Sequence, residues 1–266
     1  MEKTDLKSAT SSESPRLLVV AGKDSSGGAG VDADLEAARW AGASAVVVVT
    51  AETQQGPGGL VELGARRPGE WAREAELALE AGVDAVKIGL LPGAEHVEAA
   101  AELIRKVGGG IKAVPVVVDP VLAPTLGGRF LDEGGVEAFK QALIPTGCVL
   151  TPNLEEAAEL TGRASSLLAE HPQARLDAAQ ELMELGAAGV LLKGGHAEGE
   201  LLELVCAPGV DPEWLSLERR SGSLRGTGCR HSTAVAVSLA RGLGLLEAAG
   251  VASAWIGSLI GAQGAS

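Results

Sequence analysis

Short uninterrupted apolar runs alternate along this chain with longer stretches of helical periodicity, from about residue 16 onward. The runs at 17–21, 45–50, 85–91, 114–118, 148–150 and 189–192 predict buried parallel strands. Between them, apolar positions three and four apart predict helices over 31–41, 71–81, 95–107, 134–143 and 176–185. Residues 200–205 read as a hairpin strand, 233–239 as a small-residue helix and 247–260 as a closing alanine-rich helix. Residues 51–60, rich in Gly, Gln and Pro, read as a loop. This alternation predicts an α/β fold with a central, mostly parallel sheet flanked by helices. No repeat interrupts the pattern after residue 15. Residues 16–266 therefore read as one domain, and the polar residues 1–15 as a flexible tail without a signal-peptide core.

The loops after the predicted strands carry the chemistry. Gly22-Lys23-Asp24-Ser25-Ser26-Gly27-Gly28-Ala29-Gly30 follows the first strand directly. Its spacing is not G-x-G-x-x-G, and no acidic residue closes the second strand where a ribose would need it, so a dinucleotide site is discounted. Polar residues at the carboxyl ends of such strands line a ligand crevice. Asp119 stands at one such end, although a loop-starting Asp is often a turn residue. Asn153 and Glu156 are three apart on a first helical turn, which is metal-organising spacing or a helix cap. Near the C-terminus, Arg225-Gly226-Thr227-Gly228-Cys229-Arg230-His231-Ser232 leads into a helix. A Gly-Thr-Gly turn there can present free N–H groups to an anion. Cys229 in the first turn, with Arg225 and Arg230 close by, would favour a thiolate. An ordinary glycine turn with a half-buried cysteine is the plainer alternative.

Composition narrows the classes. The chain has 266 residues, no Tyr and two Phe, so it can hardly build stacking platforms for bases. A formal net charge of −13 argues further against a nucleic-acid surface. Three scattered cysteines, Cys148, Cys206 and Cys229, suit the reduced thiols of a cytoplasmic protein. No zinc-type spacing is present, and no apolar run is expected to reach the length of a membrane span.

With these loops in view, the chain resembles the hydroxymethylpyrimidine (phosphomethylpyrimidine) kinases of thiamine biosynthesis, in the ribokinase-like superfamily. The likeness rests on Asp24-x-Ser26-Gly27-Gly28-Ala29-Gly30, Lys87-Ile88-Gly89, Val118-Asp119-Pro120-Val121, Thr151-Pro152-Asn153-Leu154-x-Glu156-Ala157, Lys193-Gly194-Gly195-His196 and Gly226-Thr227-Gly228-Cys229. The resemblance implies a three-layer sandwich and ATP-dependent, Mg²⁺-dependent transfer of a γ-phosphoryl group to a pyrimidine alcohol, then to its phosphate. It implies that Gly226, Thr227 and Gly228 hold the transferred group, with Cys229 as catalytic base. Gly22, Asp24, Gln55 and Leu90 would line the pyrimidine pocket. Asp119, Asn153, Lys193 and Arg225 would serve the nucleotide and phosphates, and Glu156 with Asp119 would organise Mg²⁺ through water. A homodimer is expected by the same likeness, with Trp40 or the 56–59 stretch at the contact.

The chain also departs from that family. Gln55 keeps a family glutamine, but Gly56-Pro57 follows it. Thr125-Leu126-Gly127 replaces Lys-Ser-Gly, and Gly222-Ser223-Leu224-Arg225 replaces Lys-Asn-Thr-His before the anion turn. Arg225 and Arg230 are expected to make up in part for the lost cations. The departures leave three readings: the pyrimidine kinase, a pyridoxal-type kinase, or a catalytically weakened relative that binds a small molecule.

Overall fold

Leu17, Leu18, Val19 and Val20 are all buried, so the first strand is covered on both faces. Its side chains divide by parity. Leu18 and Val20 join one apolar cluster, while Leu17, Val19 and Ala21 join another on the opposite face. Two cores separated by one sheet make three layers. The computed structural model describes residues 14–56, 59–108, 114–124, 127–194, 201–218, 220 and 224–264.

The strands are β1 (Arg16–Asp24), β2 (Ser44–Gly56), β3 (Gly59–Ala65), β4 (Ala85–Ile88), β5 (Val116–Val118), β6 (Val149–Leu150), β7 (Gly189–Leu192), β8 (Leu201–Cys206) and β9 (Glu213–Leu217). They form a nine-stranded sheet in the order β3-β2-β1-β4-β5-β6-β7-β8-β9. Pairing is parallel from β2 through β1, β4, β5 and β6 to β7. Antiparallel β3 closes one edge, and β8 with β9 closes the other. The strand order reverses between β1 and β4, and a ligand crevice is expected beyond the carboxyl ends at such a point.

The helices are α1 (Val31–Trp40), α2 (Pro68–Glu80), α3 (Ala94–Val107), α4 (Glu133–Ala138), α5 (Leu154–Thr161), α6 (Ser165–Glu170), α7 (Pro172–Glu184), α8 (Thr227–Ala240) and α9 (Leu245–Gly264). Helices α2 to α7 bury their apolar stripes in the first cluster, with Trp71 of α2 fully enclosed. Helices α1, α8 and α9 cover the other face through Ala37, Ala38, the run Ala234–Val237, Ala248, Ala249 and Ala252. These small side chains let α8 lie close to the strands, and so fix where its N-terminus emerges.

The structure corrects several expectations. Residues 51–56 are strand, because β2 continues to Gly56 and pairs back against β3, with Gln54 opposite Glu62. An edge hairpin tolerates polar side chains that a buried strand would not. Helix α8 starts at Thr227, well before 233, because Gly226 at φ 69° supplies the left-handed turn that launches it. Helix α7 begins at Pro172, a residue suited to the first helical position. Helix α6 and strand β9 were not foreseen, and 134–143 divides into α4 and a π-helical turn, Phe139–Leu143. Part of the expected tail is tied down, since Ser14 Oγ donates to the Gly42 carbonyl at 2.9 Å and Pro15 accepts from the Ser44 amide at 2.9 Å. Residues 1–13 of that tail lie outside the described residues.

Helix α9 overturns the expectation about apolar length. Its window Leu245–Ala262 has mean hydropathy 1.5, enough by length and composition to cross a membrane. Its inner face, including Ala248, Ala249, Ala252, Trp255 and Ile256, is buried against the sheet side occupied by α8. Trp40, expected at a dimer contact, stacks on Trp255 with ring centroids 4.3 Å apart and packs α1 onto α9.

Candidate active site

The parallel strands keep their register just past their ends. The Asp119 amide donates to the Ile88 carbonyl at 2.9 Å, Thr151 to Val118 at 3.0 Å and Lys193 to Pro152 at 2.8 Å. Three side chains are thereby set side by side. Lys193 Nζ lies 2.9 Å from Asp119 Oδ1, and Thr151 Oγ1 donates to the same oxygen at 3.2 Å. Burial opposes the Asp119 charge, but Lys193 and Lys87 outweigh it and hold its pKa below the usual carboxylate range. Burial likewise opposes the Lys193 ammonium, and the Asp119 and Glu156 carboxylates outweigh that and raise its pKa.

Helix α5 opens on Asn153 through a reciprocal capping box. Asn153 Oδ1 accepts from the Glu156 amide at 2.8 Å, and Glu156 Oε2 accepts from the Asn153 amide at 2.8 Å. The capping alternative is therefore realised, and it fixes where Glu156 points. Burial pushes the Glu156 carboxyl up to about 8, against the pull of Lys193. One of its oxygens stays free of the box.

Among the described residues, no group of three or more His, Cys, Asp or Glu side chains could cage a metal. Mg²⁺ does not need such a cage, since it keeps several waters and uses one or two carboxylates together with phosphate oxygens. Asp119 and the free oxygen of Glu156 are the candidates.

The turn before α8 faces this cluster. Gly226 has φ 69°, and a Cβ there would stand 2.6 Å from the Gly28 carbonyl oxygen, so the turn rests directly on the loop after β1. A Cβ on Gly228 would lie 3.4 Å from Lys193 Nζ and 3.5 Å from Asp119 Oδ2. The first-turn N–H groups have no intrahelical partners, and no side chain caps them. Free donors, the positive end of the α8 dipole and the Lys193 ammonium thus converge on one space.

Cys229 lies in that first turn, but its thiol is not the depressed one expected. Burial pushes its pKa up to about 11; Lys87 and the Gly30 amide pull it down, while Asp34 and Asp119 push it further up. The arginines are directed elsewhere. Arg230 is buried, pairs with Glu36 at 2.6 Å and donates to the Arg225 carbonyl at 2.6 Å, so it does not stand in for a lost phosphate-side cation. Arg225 reaches back over the β1 loop. Its guanidinium donates to Asp24 Oδ2 at 3.0 Å, Ser26 Oγ at 3.0 Å and Gln55 Oε1 at 2.8 Å.

The expected pocket residues come together around this contact. Asp24 is buried, and Oδ1 accepts from the Ser26 amide at 3.1 Å while Oδ2 accepts from Ser26 Oγ at 2.7 Å. A Cβ on Gly22 would stand 2.4 Å from Leu90 Cδ2, so glycine there admits Leu90. Leu90 forms a small apolar cluster with Ala51 and Phe130. Pro57, Thr125, Leu126, Gly195, His196, Gly222 and Ser223 lie outside the described residues.

Lys87 and Asp34 were missed as a functional pair. Both side chains are fully buried, with Lys87 Nζ 2.8 Å from Asp34 Oδ1, which also accepts from Thr233 Oγ1 at 2.8 Å. Thr233 sits one turn beyond Cys229 on the same face of α8. The signal was available: a lysine inside the apolar run Ala85-Val86-Lys87-Ile88 is out of pattern.

Comparison with known proteins identifies the family of the chain. The profile of the phosphomethylpyrimidine kinase family matches residues 24–265. A hydroxymethylpyrimidine/phosphomethylpyrimidine kinase from Streptomyces coelicolor is 38% identical over 234 residues, covering 86% of this chain and 82% of that protein. Its counterpart from Rhizobium meliloti is 35% identical, covering 92% of this chain and 90% of that protein. Among solved structures, the phosphomethylpyrimidine kinase from Clostridium difficile superposes with a TM-score of 0.77 at 28% identity, covering 93% of this chain and 100% of that one. Pyridoxal kinase from Staphylococcus aureus with AMP-PCP and pyridoxal gives a TM-score of 0.79 at 28% identity, covering 94% and 89%. The ribokinase-like sandwich, the curated relatives and the profile match agree: this chain is a phosphotransferase and belongs to the phosphomethylpyrimidine kinase family.

Proposed function

We propose that the chain transfers the γ-phosphoryl group of ATP to hydroxymethylpyrimidine and to the monophosphate of that alcohol, in thiamine biosynthesis. The carrying observation is the space between the first turn of α8 and the Lys193–Asp119 pair, where a Gly228 Cβ would reach both partners within 3.5 Å. A phosphoryl group in that space meets backbone donors on one side and an ammonium on the other. Phosphoryl transfer asks for little else than positioning and charge neutralisation. The acceptor alcohol approaches from the side of Gly22, Leu90 and Gln55. Cys229 takes the hydroxyl proton, and its thiolate, scarce near neutrality, is a strong base once formed. Asp119 and Glu156 would hold Mg²⁺ through water, and the ion would supply further neutralisation between the phosphates. The buried free cysteines Cys148 and Cys206 suit a reducing compartment, and we place the protein in the cytoplasm.

A pyridoxal-type activity is the second reading, favoured by the likeness to pyridoxal kinase from Staphylococcus aureus, whose pyridoxal complex superposes with a TM-score of 0.81. The test is ATP consumption with Mg²⁺ and, in turn, hydroxymethylpyrimidine, its monophosphate and pyridoxal. Stimulation by the pyrimidines, lost in Cys229→Ala, supports the proposal. Stimulation by pyridoxal alone moves the activity to the second reading, and stimulation by none of them overturns both.

A further inference from the structure

Lys87 carries its charge to the carboxyl end of the sheet. It stands in register with Val19 of β1 and Val117 of β5, both in the cluster beneath α8, so its side chain lies on the α8 face. A Cβ on Gly89, two residues further along, would stand 2.9 Å from Lys87 Nζ. The lysine stem therefore runs up the strand, and glycine at 89 leaves room for its tip. Asp34 Oδ1 lies 2.8 Å from that tip and also accepts from Thr233 Oγ1 at 2.8 Å. The ammonium is thus held against the inner face of α8. Cys229 is four residues before Thr233, on the same face and one turn nearer the crevice.

The pair does not satisfy itself. An ammonium has three donors. Nζ is fully enclosed, yet its N–H groups meet no acceptor in hydrogen-bond geometry, and Asp34 Oδ2 is likewise without a donor. A buried cation with spare donors is costly unless a further negative group completes it. The groups whose charge acts on it are Asp34 from α1, Cys229 from α8 and Asp119 from the end of β5. Asp119 has a nearer cation in Lys193, at 2.9 Å. We propose that Lys87 is a positioning residue for the reaction: its ammonium, set under the first turns of α8 by Asp34, is the fixed counter-charge that favours the thiolate of Cys229. Burial opposes both charges; against it Asp34 and Cys229 support the lysine, and Lys87 leads the groups that favour the thiolate, ahead of the Gly30 amide. Lys193 also faces the sulfur, while Asp34 and Asp119 oppose its charge. Asp34 therefore acts twice, with opposite signs: it places the ammonium, and its own carboxylate repels the thiolate.

This inference rests on the reading of Cys229 as the base that takes the acceptor's hydroxyl proton. The rate at which iodoacetamide alkylates Cys229 measures its thiolate independently of that reading. It is followed on the full chain at mildly alkaline pH, with a chelator and without nucleotide, by mass spectrometry that separates Cys229 from Cys148 and Cys206. Lys87→Met is expected to slow alkylation about tenfold, the equivalent of one pKa unit from a neighbouring charge. Asp34→Asn keeps an oxygen for Thr233 and leaves the ammonium in place, and is expected to speed alkylation about threefold. Lys87→Met combined with Asp34→Leu removes both charges, and is expected to fall between Lys87→Met and the parent. A pair that merely braces α8 would shift all three in one direction. Where Lys87→Met alone does not fold, the other two variants carry the test. With hydroxymethylpyrimidine and ATP, kcat is expected to follow the same order with KM little changed. Alkylation that is unchanged, or that moves in one direction in every folded variant, overturns the assignment, and a kcat that ignores the order overturns the role in the reaction. The expected order of alkylation without substrate-dependent turnover in the unmodified protein overturns the kinase reading instead, and leaves Lys87 as the counter-charge of the thiol.

Discussion

Lys87 and Asp34 meet at 2.8 Å with neither side chain exposed, and Asp34 also accepts from Thr233, one helical turn beyond Cys229. Burial disfavours both charges, yet Asp34 and Cys229 keep the lysine pKa raised. The Asp34 pKa is also raised, because its desolvation outweighs the lysine's pull. Breaking such a pair leaves an uncompensated charge in the core. Lys87→Met is expected to cost about 3–5 kcal/mol, while Asp34→Leu combined with Lys87→Met recovers much of it. Denaturant melts of the single and double variants check this. A double variant no more stable than the single would show that the charges are not coupled.

With Cys229 as the proposed base, its raised thiol pKa gives the reaction a pH signature. A base whose pKa is pushed up to about 11 is protonated near neutrality, so the ionised fraction grows about tenfold per pH unit below that value. kcat is therefore expected to climb steadily from pH 7 to 9. Cys229→Asp, whose carboxylate ionises far lower, is expected to flatten that climb. A plateau near pH 7 in the unmodified protein would count against the thiol as base.

Gly228 separates stability from activity. A Cβ there meets Lys193 Nζ at 3.4 Å and Asp119 Oδ2 at 3.5 Å, tolerable contacts in the absence of ligand. Alanine is also the better helix former, by up to about 1 kcal/mol. Gly228→Ala is therefore expected to melt no lower than the parent. Its turnover should fall about 10²–10³-fold, the typical loss when a charge-stabilising donor is displaced, because the methyl occupies the space proposed for the phosphoryl group. Thermal melts and single-turnover rates test the two halves separately.

Glu203 makes the far side of α8 sensitive to acid. Its Oε2 accepts from Ser253 Oγ at 2.6 Å, and Ser253 in turn lies 2.9 Å from His231 Nε2. Burial works against the carboxylate, but His231 and Ser253 outweigh it and the pKa is lowered. A depressed folded-state pKa stabilises above the unfolded value near 4.3, and the gain is lost as pH falls through the folded value. Glu203→Gln is expected to be less stable at pH 7, by about 1–3 kcal/mol as a buried network loses its charged acceptor. The gap to the parent should narrow below pH 4. A gap independent of pH would remove the carboxylate from the account.

Much of this was legible in the residues because buried parallel strands are written as apolar runs. The runs at 17–21, 85–91 and 189–192 each contain or overlap an observed strand, and Asp24 and Lys193 follow the first and the last of them. What stayed hidden depended on partners distant in sequence. Polar residues 51–56 become strand only because β3 folds back on them. The direction of Arg225 is set by Asp24 and Gln55, which no local pattern connects to it. The cysteine was misjudged because burial, which no local pattern records, pushes its thiol up by more than Lys87, brought in from β4, pulls it down.

The stacked tryptophans of α1 and α9 have a spectroscopic consequence. The chain has no tyrosine and four tryptophans, and none of these is among the residues that build the pocket or the anion turn. Trp40 and Trp255 lie 12° from parallel at 4.3 Å, close enough for their indole transitions to couple. The near-ultraviolet dichroism of this protein should therefore report chiefly on how its terminal helix seats against the sheet. The absorbance of a bound pyrimidine or pyridoxal would stand against a background to which the site itself contributes no tryptophan or tyrosine signal.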